Sequence, residues 1–366
     1  MQHCRYEYFA GLPWPESKLI FVKRSLLLAL VLTALAACSL RESAVPVAGG
    51  PSGGAAATVE RFAPAAAGDV YVANWYDSTV TAYSSDGKSK LRTIVNGISY
   101  PNALAFDKRG NLFVGNYGAA SGSFSSTVSV FGPGKSSPAR TIVQGIYGPY
   151  AFAFEKSGKL FVANYGGSTV TAYGNGSSKL LETIVNGIDG PEALVFDTAG
   201  NLYVANWGSN SVAVYPPGKI NPPAKIRYGI GRPDALVFDA AGRLYVANRA
   251  KNSVTIYRPG HHVAPRTITN AVRGPLALIS TTAGQLYVLN LVNQTVSIYS
   301  EATLGLVRVI SKGIACPSAM AMNASGMLYV ANTCPSSVAV YAPSGSKPLR
   351  TITNGLNGPV AIAIAP

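Results

Sequence analysis

Histidine, cysteine and acidic residues are scarce in this chain. Of 366 residues, three are His, four are Cys and 16 are Asp or Glu, against 30 Lys or Arg. Two of the histidines, His261 and His262, stand together in "RPGHHVAP" with no Cys or carboxylate beside them. A Ser–His–Asp relay or a His-based lyase therefore has no base to use, and the pair reads as a solvated turn. No Walker-type or Rossmann-type glycine loop occurs; "GNGSSK" (Gly174–Lys179) reads as a turn between strands, not as a phosphate cradle. Beyond residue 40 no segment keeps a 3.6-residue apolar period, which argues against amphipathic helices. The longest apolar run, Ser25–Ala37, has 13 residues and is too short to span a bilayer.

What the chain has instead is repetition. Apolar residues make up 48% of it. They fall in short runs rich in Val, Tyr, Ala and Ile, punctuated by Gly, Asn, Pro and Ser, which is the pattern of β-strands and turns. The phrase "LYVANWGSNSVAVY" (Leu202–Tyr215) returns with small edits, and its Asn falls at 74, 116, 164, 206, 248, 290 and 332. The step is 42 residues except for one of 48. Each unit holds four short runs, A to D, as in "GPEALVFDTAG", "NLYVANWGSN", "SVAVYPPGK" and "AKIRYGIGR". A period of this size with four strands per unit predicts a β-propeller.

The ends predict how the ring closes. The first copy, "GDVYVAN", lacks strand A, and the chain finishes on "GPVAIAIAP" (Gly358–Pro366), a strand A with nothing after it. Joining them completes a seventh blade and removes an open edge. The expected fold is all-β: a seven-bladed propeller over residues 67–366, closed by the C-terminal strand pairing with the N-terminal blade. The run "GP-x-A-L-x-F-D-x-x-G-x-L-Y-V-A-N" followed by "S-V-x-V-Y" resembles the NHL and YVTN families of propeller repeats, from residue 69 to the end. That resemblance is specific for fold and nearly silent on function, because propellers of this sort serve as lactonases, lyases, redox enzymes and binding platforms.

The recurring Asn reads as the residue that opens the B–C turn, bonding backbone two residues on and tolerating left-handed dihedrals. Asp107, Asp197 and Asp239 in "D-x-x-G" read as starting the A–B turns.

The N-terminus is of another kind. Lys23-Arg24 and the apolar run suit a secretory signal over 1–37. "LAAC" (Leu35–Cys38) resembles a bacterial lipoprotein box, which implies a lipidated Cys38; the following Ser39 implies sorting to the outer membrane. Residues 38–66, rich in Ala, Gly, Pro and Ser, read as a flexible tether.

Copies that agree mark scaffold, so copies that differ mark candidate sites. The residue after the recurring Asn is Trp75, Tyr117, Tyr165, Trp207, Arg249, Leu291 and Thr333 in turn. The residue after the strand-A Pro is Asn102, Tyr150, Glu192, Asp234, Leu276, Ser318 and Val360, with Tyr100 and Arg232 just before it. Both positions belong to the face where B–C and D–A loops emerge. The expected ligand-binding face is thus Trp75, Tyr117, Tyr150, Tyr165, Trp207, Arg232 and Arg249, and Tyr and Trp suit contact with sugars or protein. The one length change, Ala119–Phe124, also falls in a B–C loop.

The leading expectation is a lipid-anchored binding or scaffold module of the cell envelope, contacting protein or glycan, monomeric, without cofactor and without nucleic acid. The alternative is a metal-dependent lactonase or esterase, holding a divalent cation at the channel mouth with Glu192, Asp234 and Asn102. Cys316 and Cys334 come together at the mouth of the last blade and are expected to pair in an oxidising compartment. The net charge from Cys38 onward is +12, which suits anionic lipid or cell-wall polymer or simple solubility.

Overall fold

The structure is a computed structural model and describes residues 66–118, 126–222, 224–261 and 266–366. The leader, Cys38, nearly all of the tether, the loop Ala119–Phe124 and His262 lie outside the described residues.

Seven four-stranded antiparallel sheets form the fold, each in the order A–B–C–D. Blade one takes its inner strand, Pro359–Ile364, from the C-terminus and its other three from Val70–Asn74, Thr79–Tyr83 and Lys90–Ile94. The inner strands of blades two to seven are Pro101–Phe106, Pro149–Phe154, Pro191–Phe196, Pro233–Phe238, Pro275–Ser280 and Pro317–Met322. Closure is by a full ladder: Val70 opposes Ile364, Val72 opposes Ile362 and Ala73 opposes Ala361. The backbone N–H of Ala365 then donates to Asp69 at 2.8 Å.

Burial explains the strand composition. Every residue of Leu202–Asn206 and Ser211–Tyr215 is buried, as in the corresponding strands of blade five. Both faces of a middle strand press on neighbouring blades, so apolar residues run on without alternation. Among the described residues there is no single central core. Seven apolar clusters occupy the seven joints between successive blades, for example Tyr71, Val80 and Ile94 of blade one against Leu112, Val114 and Phe131 of blade two.

The recurring Asn does something other than make the turn. It stays extended, with φ −107° and ψ 94° at Asn248, and is 0–1% exposed in all seven blades. Its Oδ1 accepts the backbone N–H of the D–A loop that leads into its own blade, at 3.0–3.3 Å in every copy. In five blades its Nδ2 also donates to a carbonyl of that loop, as Asn116 does to Gly97 and Asn206 to Gly187. The amide satisfies loop backbone that burial would otherwise orphan. The left-handed residue is the fourth after it: Ser78, Ser168, Asn210, Asn252, Gln294 and Ser336. Asp107, Asp197 and Asp239 do start the A–B turns, each accepting the N–H four residues on.

Candidate functional site at the channel mouth

Two repeated features place variable side chains at the mouth. The N–H of the residue after each Asn donates to the carbonyl just before the strand-A Pro of the same blade, as Tyr165 does to Gly148 and Arg249 to Arg232. This fixes B–C and D–A loops side by side. Each strand A also carries a β-bulge between its Pro and the second residue after it. The extra residue is Asn102, Tyr150, Glu192, Asp234, Leu276, Ser318 or Val360. A bulge leaves one residue out of the ladder and re-aims its side chain; here it does so on the inner strand, at the loop end.

The sequence-predicted residues fall into two groups. In the first, the Trp75 ring lies 5.4 Å from that of Tyr100 and 5.8 Å from that of Tyr117. In the second, Tyr150 and Tyr165 lie 5.2 Å apart, Tyr165 and Trp207 6.5 Å apart, and the Arg232 guanidinium sits 4.4 Å over Trp207. The rings therefore pack on one another as well as facing the mouth. Of the four residues after Asn, none is fully exposed, whereas Tyr150 is 38% exposed. The indole N–H of Trp207 is buried without a partner.

The charged members belong to the second group. Nε of Arg249 lies 2.6 Å from a carboxylate oxygen of Asp234, whose side chain is 1% exposed. The contact is a close ion pair, and both oxygens of Asp234 are shut off from solvent. Burial raises the Asp234 carboxyl to about 7 against the pull of Arg249 and Arg232. Glu192 on the next blade is raised to about 8, by burial first and then by Asp234, with Arg249 opposing. The phenol of Tyr150 is raised as well, by burial and then Glu192. The sequence puts Asp234 and Arg249 near each other; the depth of the pair, and the absence of an ion pair to Glu192 among the described residues, come only from packing.

Asn102 lies on blade two, separated from Glu192 by the blade that carries Tyr150. Among the described residues no three His, Cys, Asp or Glu side chains group as metal ligands. With Arg249 already on Asp234, Glu192, Asp234 and Asn102 do not make a donor set that fits a divalent cation.

On the far side of the ring, Ser318 and Thr333 both donate to the carbonyl of Pro359. Cys316 and Cys334 are joined in a disulfide, with Cα atoms 5.5 Å apart and a separation of 18 positions in sequence. In the other six joints the N–H of the residue before the strand-A Pro is held by the side chain of Ser78, Ser126, Ser168, Asn210, Asn252 or Ser336. Gln294 stands at the seventh without such a bond, and that joint carries the disulfide. Replacing both cysteines by Ser should cost about 3 kcal/mol by loop entropy, read as a lower denaturation midpoint that added reductant no longer shifts.

Sequence reasoning missed a cavity of about 350 Å³ on the opposite face, between blades four and five, lined by Phe196, Asp197, Tyr203, Phe238, Asp239 and Tyr257. Its two aspartates are the ordinary turn residues and are engaged: Asp197 by Asn201, Asp239 by Arg243 and Tyr245. Nothing in the pattern set them apart from their counterparts in other blades.

No family model matches the chain, and no curated protein matches it. Solved structures do. A protein from Lactobacillus plantarum superposes with a TM-score of 0.66 at 15% identity, over 81% of this chain and 99% of that one. A candidate 6-phosphogluconolactonase from Bacteroides fragilis gives 0.64 at 15% identity, over 80% and 96%. A streptogramin B lyase gives 0.61 at 9% identity, over 72% and 87%. At such identities the likeness shows the fold: a seven-bladed β-propeller.

Proposed function

We propose that this chain is an exported binding or scaffold module, a propeller of NHL/YVTN-type repeats tethered to the bacterial envelope through a lipidated Cys38. Its contact surface is the face where the B–C and D–A loops emerge. One observation carries the binding reading: on a scaffold that repeats seven times, the bulged residues are polar or aromatic on blades two to five and small or apolar, Ser318 among them, on the rest. A scaffold role alone has no use for that asymmetry. The basic flank, the short apolar run and "LAAC" support export, and a paired Cys316–Cys334 suits an oxidising compartment.

The test is capture from native envelope by wild type and by the double variant Trp75→Ala, Trp207→Ala. Loss of specific partners in the variant, with an unchanged melting temperature, supports the reading; identical capture overturns the aromatic face as a contact surface. The rival hydrolase predicts lactone or ester turnover that Glu192→Gln and Asp234→Asn both abolish. Such turnover would displace the scaffold reading. Radiolabelled palmitate incorporation that Cys38→Ser removes is the expected result for the anchor.

A further inference from the structure

The second cluster has an imbalance that names a ligand class. Asp234 is nine-tenths buried and is held by Arg249, whose Nε lies 2.6 Å from one of its oxygens. Glu192 makes no hydrogen bond or ion pair among the described residues. An ionised carboxylate only accepts, so what is missing is a donor. Arg249 and Arg232 both act on Asp234, so the carboxyl left without an ion-pair partner is Glu192. Beside the carboxyls stand the rings of Tyr150 and Tyr165, tilted by 35° with Tyr150 open to solvent. Carboxylates next to aromatic faces are how proteins hold organic cations.

Resting on the reading of this face as a binding surface, we infer that the mouth over blades three to five takes an alkylammonium group, its N–H donors on Glu192 and its methylenes along Tyr150 and Tyr165. Charge balance supports this. The groups that face Glu192 are Asp234, Arg249 and the phenols of Tyr150 and Tyr165, with Arg232 acting on Asp234 and Asp189 on Tyr165. Without ligand, Glu192 holds a proton at neutral pH, because burial lifts its carboxyl to about 8. An arriving ammonium takes the place of that proton: the cation enters, Glu192 ionises, the proton leaves to solvent, and the net charge of the pocket is unchanged.

The experiment is titration calorimetry of the folded protein at pH 7 in two buffers of different ionisation enthalpy. The probes are cadaverine, a free diamine, and Nα-acetyl-lysine methylamide, a stand-in for a peptide side chain. A neutral xylo-oligosaccharide and an acidic peptide serve as contrasts. Binding of either amine with release of about one proton, tightening up to about tenfold per pH unit below pH 8, supports the inference; which amine binds better identifies the source. Glu192→Gln should abolish the proton release and weaken binding by about tenfold or more. Tyr150→Ala should weaken it about threefold to tenfold without changing the proton count. Amine binding without proton release, or binding unaltered in both variants, overturns it. If instead a contrast probe binds and the amines do not, the ligand class is wrong and the binding face stands. If no probe binds, the inference fails; unchanged capture in the tryptophan variant would then remove the binding face as well.

Discussion

A chain ending at Asn357 fails to unfold as one cooperative unit and melts far below the full-length protein. The truncation removes the inner strand of blade one and leaves Val70–Asn74 with an open edge. The N–H groups of Trp75 and Gly68 lose the carbonyls of Gly358 and Ala365. The joint between blades seven and one loses Ile362 and Ile364 beside Val70 and Val72, and Ala365 leaves the joint between blades one and two. At about 1 kcal/mol per hydrogen bond and about 1 for each half-buried Ile, the loss is comparable to the whole stability of an ordinary domain. Circular dichroism melts and size-exclusion volume check this. A synthetic peptide of residues 358–366, added in excess, should restore much of the lost midpoint by mass action. A truncated chain that melts with the wild type would mean the ring is held without its last strand.

The second large effect is on pH. Glu192 and Asp234 have folded-state pKa values above those of the unfolded chain. Between the ordinary carboxylate range and about pH 8 the folded protein therefore binds more protons than the unfolded one, and stability falls as pH rises through that window. Because the two carboxyls share one neighbour in Arg249, they titrate as a pair. The loss from pH 5 to pH 8.5 should be on the order of a few kcal/mol. Glu192→Gln, neutral at every pH, should flatten most of that slope and raise the midpoint at pH 8.5. Urea midpoints across this range decide it; a wild-type slope near zero would mean the pair is hydrated and ordinary.

Why the fold could be read so fully, and the site only in outline, comes down to range. Strands B and C repeat as uninterrupted apolar runs, and a strand A stranded at the C-terminus has one place to go. By sequence the recurring Asn reads as a turn residue, because a polar side chain ending an apolar run usually is one. Its actual partner lies 17 residues upstream, on a loop that only the folded blade brings back. The bulge was invisible too. Proline at the head of strand A has no N–H to give the ladder, yet nothing in the pattern says that the register slips there rather than ending. The same holds for Asp234: its neighbour Arg249 is near in sequence, but the burial that raises its carboxyl comes only with the folded mouth, where Tyr150 and Glu192 from other blades lie close enough to feel its charge.

The unpaired residue on each inner strand is free of the strand pairing its neighbours carry. It contributes no rung to the sheet, so a change from Glu to Leu or Ser there alters no pairing and shifts no blade. The chain thus has seven interchangeable sockets around one opening, each open to rewriting by a single codon while the ring stays intact. Diversification of what such a molecule recognises needs no new loops; it needs only new letters in seven places.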